Sequence, residues 1–277
     1  MRHRPLNVYQ CAFTLGLVMA LGAHAHGGYW AHEVVSYEPG EPVERFDGYY
    51  ETSEAVLGPP PRYTSDGTDW PVTPTNNPWR TEDAISIGIG GHLTMQMDRF
   101  LLPQSPGPHL GVFVMQQFAD QAWPAGVMSD PVTLWYPAMA SVIEVSEDGH
   151  TWVALHDGAF IEQNIPANAF QDVDATIPTD FRLPFEGEVS DFDGLGGMAD
   201  LLAVFGESGG GNWHDLGGTG LDRIGYVRLS VPEDADTSFQ VVALSTAHGA
   251  AGAVVPEPGS ALLVIAGATV LALRRRR

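Results

Sequence analysis

From Ala84 onward, apolar and polar residues alternate with a period of two over much of the chain, the spacing of half-buried β-strands. AISIGIGGHLTMQMDRF alternates on both sides of Gly90-Gly91 and predicts a hairpin. LGVFVMQ (110–116) is a nearly unbroken apolar run, the mark of a buried strand. SVIEVSEDGHTWVALH sets two alternating runs around Asp148-Gly149, a pair that tolerates the positive φ angles of a tight turn. YVRLSV (226–231) and FQVVAL (239–244) predict a further pair across an acidic loop, and only GMADLLAVFG (197–206) has helical spacing. Five to eight strands with almost no helix predict an all-β antiparallel β-sandwich or jelly roll over residues 81–246.

Residues 26–80 read differently. EPGEP, LGPPPR and DWPVTPTNNPW carry prolines at a density that excludes long helices and central strands. An irregular, extended segment with a few short strands, packed on the domain, is expected, pinned by Tyr49, Tyr50, Trp70 and Trp79. AHGAAGAVV (247–255) reads as a spacer.

The two ends carry addresses. Arg2 and Arg4 precede the apolar stretch Cys11–Leu21, and Ala23-His24-Ala25 is a small-x-small cleavage pattern, so residues 1–25 are expected to be a secretory signal peptide cut after Ala25. At the other end, Ser260–Leu273 is uncharged and followed by Arg274, Arg275, Arg276 and Arg277. Its 14 residues form at most a short hydrophobic helix against a hydrocarbon core of about 30 Å. The arginines favour the cytoplasmic side. Together with Pro256-Glu257-Pro258, this arrangement resembles the PEP-CTERM sorting signal. The resemblance covers residues 256–277 and implies transient inner-membrane anchoring, processing by an exosortase-type membrane protease, and delivery to the cell surface or secreted matrix.

Composition narrows the partners. Between the two addresses the chain holds seven arginines, no lysine and 33 carboxylates, a net charge of −26. Such a surface repels nucleic acid and anionic membranes. The single cysteine, Cys11, lies in the signal, which removes disulfide and thiol chemistry from the body.

Three kinds of candidate chemistry remain. Asp191-Phe192-Asp193-Gly194, with Asp200 beyond it, has the alternate carboxylates and glycine turn that suit a calcium ion; solvated loop acids are the competing explanation. The histidines are scattered, and neither a zinc pair nor a nucleophile motif is present. Trp123, Trp135, Trp152 and Trp213 are candidates for stacking on sugar rings, Trp213 above all because Asn212, His214 and Asp215 flank it. The alternative is that the tryptophans fill the core.

ISIGIGGHLTMQMDRF, PGPHLGVFV, SVIEVSEDGHTWVAL and GGGNWHDLGGTGLDRIGYVRLSV follow in an order similar to a group of exported bacterial cell-surface proteins. The likeness spans roughly residues 55–231 and departs at Asn212, at His214-Asp215-Leu216 and at His109. The V-x-V-S-x-D-G hairpin also resembles one in galactose-binding-like sandwiches. These resemblances imply an exported cell-surface protein and, at the level of fold alone, a galactose-binding-like sandwich; the function expected is a non-catalytic cell-surface or matrix protein that binds or organises extracellular polysaccharide. The alternative is a secreted polysaccharide-acting hydrolase or lyase, which would need two facing carboxylates.

Overall fold

The computed structural model describes residues 28–41, 50–64, 70–136 and 139–255. The signal segment with Ala23 and Ala25, the Pro256-Glu257-Pro258 motif, the expected helix 260–273 and Arg274–Arg277 lie outside the described residues. Among the described residues no helix is long and apolar enough to cross a membrane.

The alternating runs fold into two antiparallel sheets. One has the order β1 (Ala31–Glu38), β3 (His92–Leu101), β9 (Ile224–Ser230), β5 (Ala140–Ser146) and β6 (Val153–Ala154). In addition β11 (Ala251–Val254) pairs with β3 and β7 (Ile161–Glu162) with β5. The other has the order β2 (Ile85–Ile87), β10 (Phe239–Thr246), β4 (Leu110–Val114) and β8 (Asn212–His214). Leu93, Met95, Met97, Ile143, Val145, Val227 and Leu229 of the first sheet share one fully buried cluster with Ile85, Ile87, Val112, Val114 and Val241 of the second. The protein is an all-β sandwich.

The face of the first sheet turned away from this core carries a polar ladder. Arg228 lies opposite Thr94 on one neighbour and Glu144 on the other. Its Nε donates to Thr94 Oγ1 at 3.3 Å and its Nη1 reaches Glu144 Oε2 at 3.4 Å. The guanidinium sits 4.0 Å from the centre of the Trp152 ring, so Trp152 is a lid on the ladder. The 141–154 hairpin forms as its sequence predicts, with Val145 opposite Val153 and Gly149 at φ +76°. Backbone amides of Thr151 and His150 donate to Asp148 and hold its carboxyl down at about 2.

β10 is buried along its whole length because irregular segments cover what would be an open sheet face. Tyr50, Val56 and Val72 of the Pro-rich segment, with Ala167, Ala169, Phe170 and Phe181, join the main core. Arg62 ties the two segments together, donating to the carbonyls of Ala169 and Thr179.

Four expectations need correcting. The Gly90-Gly91 stretch is not a hairpin, since β2 pairs with β10 in one sheet and β3 with β1 and β9 in the other. Its glycines serve close approach: Cβ atoms on Gly88 and Gly91 would collide with the backbone of Glu41 and Pro39. The runs 226–231 and 239–244 likewise enter opposite sheets. Residues 31–38, placed in the irregular segment, form a full strand on β3. Residues 251–254, read as spacer, form β11, after which Val255 donates its N–H to Asp98 O at 2.9 Å and is 3% exposed.

A satellite core completes the molecule. Phe118, Met128, Phe192, Leu201 and Phe205 form a second buried cluster, joined by α1 (Met198–Phe205) at the predicted helical stripe. Ring centroids lie 4.6 Å apart for Phe118–Phe192 and 5.0 Å apart for Phe192–Phe205.

Candidate functional site: a tryptophan-lined groove

The satellite core carries the loops of residues 117–136 on its surface, and these loops hold the exposed aromatics. Phe118 N–H donates to Pro74 O at 2.8 Å, which sets residues 71–79 beside them. Between the two lies a groove of about 330 Å³ lined by Thr75, Asn77, Trp79, Gln117, Trp123 and Trp135, among others. Trp79, Trp123 and Trp135 are 46%, 55% and 57% exposed. Trp70, 49% exposed, extends the rim: its ring centroid is 5.8 Å from that of Trp123, with the planes 32° apart.

Backbone hydrogen bonds hold the loops that carry these tryptophans. Asp120 organises the Trp123 loop, with Oδ1 accepting the Ala122 and Val127 amides at 2.9 Å and Oδ2 the Gly126 amide at 2.7 Å. Gly126 has φ +75°, and a Cβ there would come within 2.6 Å of the Met198 backbone. Only glycine lets the loop sit down on α1. Trp135 N–H donates to Gln117 O at 2.9 Å.

The groove also has unspent polar groups. Gln117 Oε1 accepts the Asn77 N–H at 3.1 Å, while Gln117 Nε2 makes no hydrogen bond among the described residues. Asn77 is 2% exposed, and its Nδ2, closed off from the groove's solvent, has no partner, an uncommon state for a buried donor. No family model and no curated protein matches the chain. The assignment rests on this geometry.

The structure places the predicted site residues elsewhere. Trp213 packs edge-on against Phe113 and gives its Nε1–H to Gly210 O at 2.9 Å. Its ring lies across Gly111, so it is a core residue. Asn212, 7% exposed, is consumed by Ile165 N–H and by the Val112 and Ile165 carbonyls. Asp215 Oδ1 accepts the Gly217 amide at 2.8 Å and lies 3.3 Å from Nδ1 of the buried His109. None of the three lines the tryptophan groove.

The calcium triad does not assemble either. Asp191 Oδ2 accepts the Glu188 amide in a capping box, Asp193 Oδ1 accepts the Val132 amide at 2.7 Å, and Asp200 is exposed in the first turn of α1. Among the described residues no group of three or more His, Cys, Asp or Glu can hold a metal ion. Asp193 does matter to the groove, because the loop it holds leads into Trp135.

The candidates Trp123 and Trp135 line the groove, together with Trp79 and, at its rim, Trp70, both of which the sequence assigned to anchoring. A local signal separates the two classes. Trp70, Trp79 and Trp123 each adjoin a proline and Trp135 lies two before one, whereas Trp30, Trp152 and Trp213 do not. Proline excludes a neighbouring tryptophan from a central strand, and so from the sandwich core.

Proposed function

We propose that the chain is an exported, non-catalytic cell-surface or extracellular-matrix protein that binds exopolysaccharide through the tryptophan groove. An exosortase-type protease acting at the PEP-CTERM-like terminus delivers it to the envelope or matrix. The observation that carries the binding function is the set of four half-exposed indoles around one cleft. A soluble protein rarely leaves so much contiguous aromatic surface in water without a ligand for it. Flat rings match the apolar faces of pyranose sugars, and the Gln117 side-chain amide matches their hydroxyls. The Trp70–Trp123 platform continues beyond the groove that holds Trp79 and Trp135, which suits a chain of sugars better than a single one.

Hydrolysis is less well supported. A glycosidase places two carboxylates about 5 to 9.5 Å apart across its cleft. Asp120 is the acid in this lining, and both of its oxygens are committed to backbone amides.

The test is co-sedimentation of the purified full chain with exopolysaccharide, with reducing sugar assayed in the supernatant. Retention that falls at least tenfold in a Trp79→Ala/Trp123→Ala variant of unchanged circular dichroism supports the reading. Retention unaffected by that variant, or release of sugar, overturns it.

A further inference from the structure

The chemical class of the polysaccharide follows from what the groove lacks, granted that the groove is the binding site. We infer that it selects an uncharged polysaccharide and rejects polymers of uronic acids or sulfated sugars. The reason is local. A sugar carboxylate laid against these indoles loses water on one side and must find a cation or several donors in exchange. Among the described residues the lining offers no arginine, and the chain has no lysine at all. Its one charge among the described residues is the carboxylate of Asp120. The donor at the lining that is free of a protein partner is the neutral Nε2 of Gln117, which suits a hydroxyl or acetamido oxygen.

Charge over the rest of the molecule gives the same preference by a different route, and the two routes separate experimentally. The surplus of carboxylates repels an anionic polymer at long range, but only within a Debye length of about 8 Å at physiological salt and about 3 Å at 1 M. Desolvation without a partner is not screened. Salt therefore removes the long-range repulsion and leaves the selectivity of the groove intact. A second copy of this chain is disfavoured as occupant for the same reason, since it brings its own negative surface.

Native affinity electrophoresis of the full chain in mild detergent, with EDTA present, decides the matter. The gels contain a neutral β-glucan or galactomannan, or else alginate or polygalacturonate, at 0.05 M and 0.5 M salt. The expected result is retardation by a neutral polymer, equal at both salts and weakened at least tenfold by Trp123→Ala, with none by either anionic polymer at either salt. Trp152→Phe, which alters an aromatic outside the groove, serves as the control and is expected to bind like the parent. Anionic retardation that depends on Trp123 would overturn the inference while leaving the binding function standing. Trp123-independent binding, or binding of neither class, would overturn both.

Discussion

Asp120→Ala removes the acceptor for three backbone amides at once, those of Ala122, Gly126 and Val127. Hydrogen bonds to an ionised acceptor contribute about 1.5–3 kcal/mol each. These are partly exposed, and water takes over some of the lost bonding, which leaves about 2–4 kcal/mol for the set. The loss falls on opening of the Trp123 loop rather than on global unfolding, because Phe118 and Phe192 beneath it stay packed. At 1.4 kcal/mol per decade, amide exchange at Gly126 and Val127 accelerates by about 30- to 700-fold. Polysaccharide affinity falls about tenfold, since the ligand must now order the loop on binding. Asp120→Asn is the sharper probe: its carbonyl oxygen can still serve Ala122 and Val127, while its NH₂ faces the Gly126 N–H. Exchange should then rise chiefly at Gly126. Unchanged exchange in both variants refutes the anchoring role. Loss of protection throughout the sandwich would show that Asp120 supports the whole fold instead.

Burial pushes Asp83 up to about 6, against about 4 for an unfolded aspartate, so its contribution to stability is complete below pH 4 and lost as pH rises through 6. Asp83→Asn should therefore raise the melting temperature at pH 7–8, by about 1–2 kcal/mol of stability, with no gain below pH 4. His214 behaves in the opposite sense: burial, aided by His156, holds it near 4. Its contribution is complete above about pH 6.5 and lost as pH falls through 4. His214→Gln should flatten the acid limb of a stability–pH curve, whatever it does to the plateau. Gly111→Ala puts a Cβ about 2.9 Å from the Trp213 ring and should cost about 1–3 kcal/mol in a denaturation curve. Polysaccharide binding should be unchanged, because Trp213 is no part of the groove.

Fold class was legible because alternation reports which residues face a core, and the Asp148-Gly149 turn closes its hairpin locally. Pairing was less legible. In a sandwich, successive alternating runs bury one face whether they neighbour each other or oppose each other, so the pattern of 226–231 and 239–244 is the same in either case. Glycine misled twice for one reason. Gly90-Gly91 has the look of a turn and the glycines before Trp213 that of an open loop, yet the glycines there make room for neighbours. Gly91 passes under Pro39, and a Cβ on Gly211 would come within 2.7 Å of Phe113. The groove was half legible. Trp70 and Trp123 are 53 residues apart, and their meeting depends on the Pro74–Phe118 hydrogen bond, which no local pattern announces.

β11 changes how the protein would carry a load. The last backbone hydrogen bond described is donated by Val255, the residue immediately before Pro256. A linker of even ten residues would give about 35 Å of slack; here there is none between the sheet and the Pro-Glu-Pro motif. Tension applied at Pro256 reaches the hydrogen bonds between β11 and β3 directly, and β3 also pairs with β1 and β9. Drag on a bound polymer would therefore be transmitted through the sandwich as through a rivet rather than a leash.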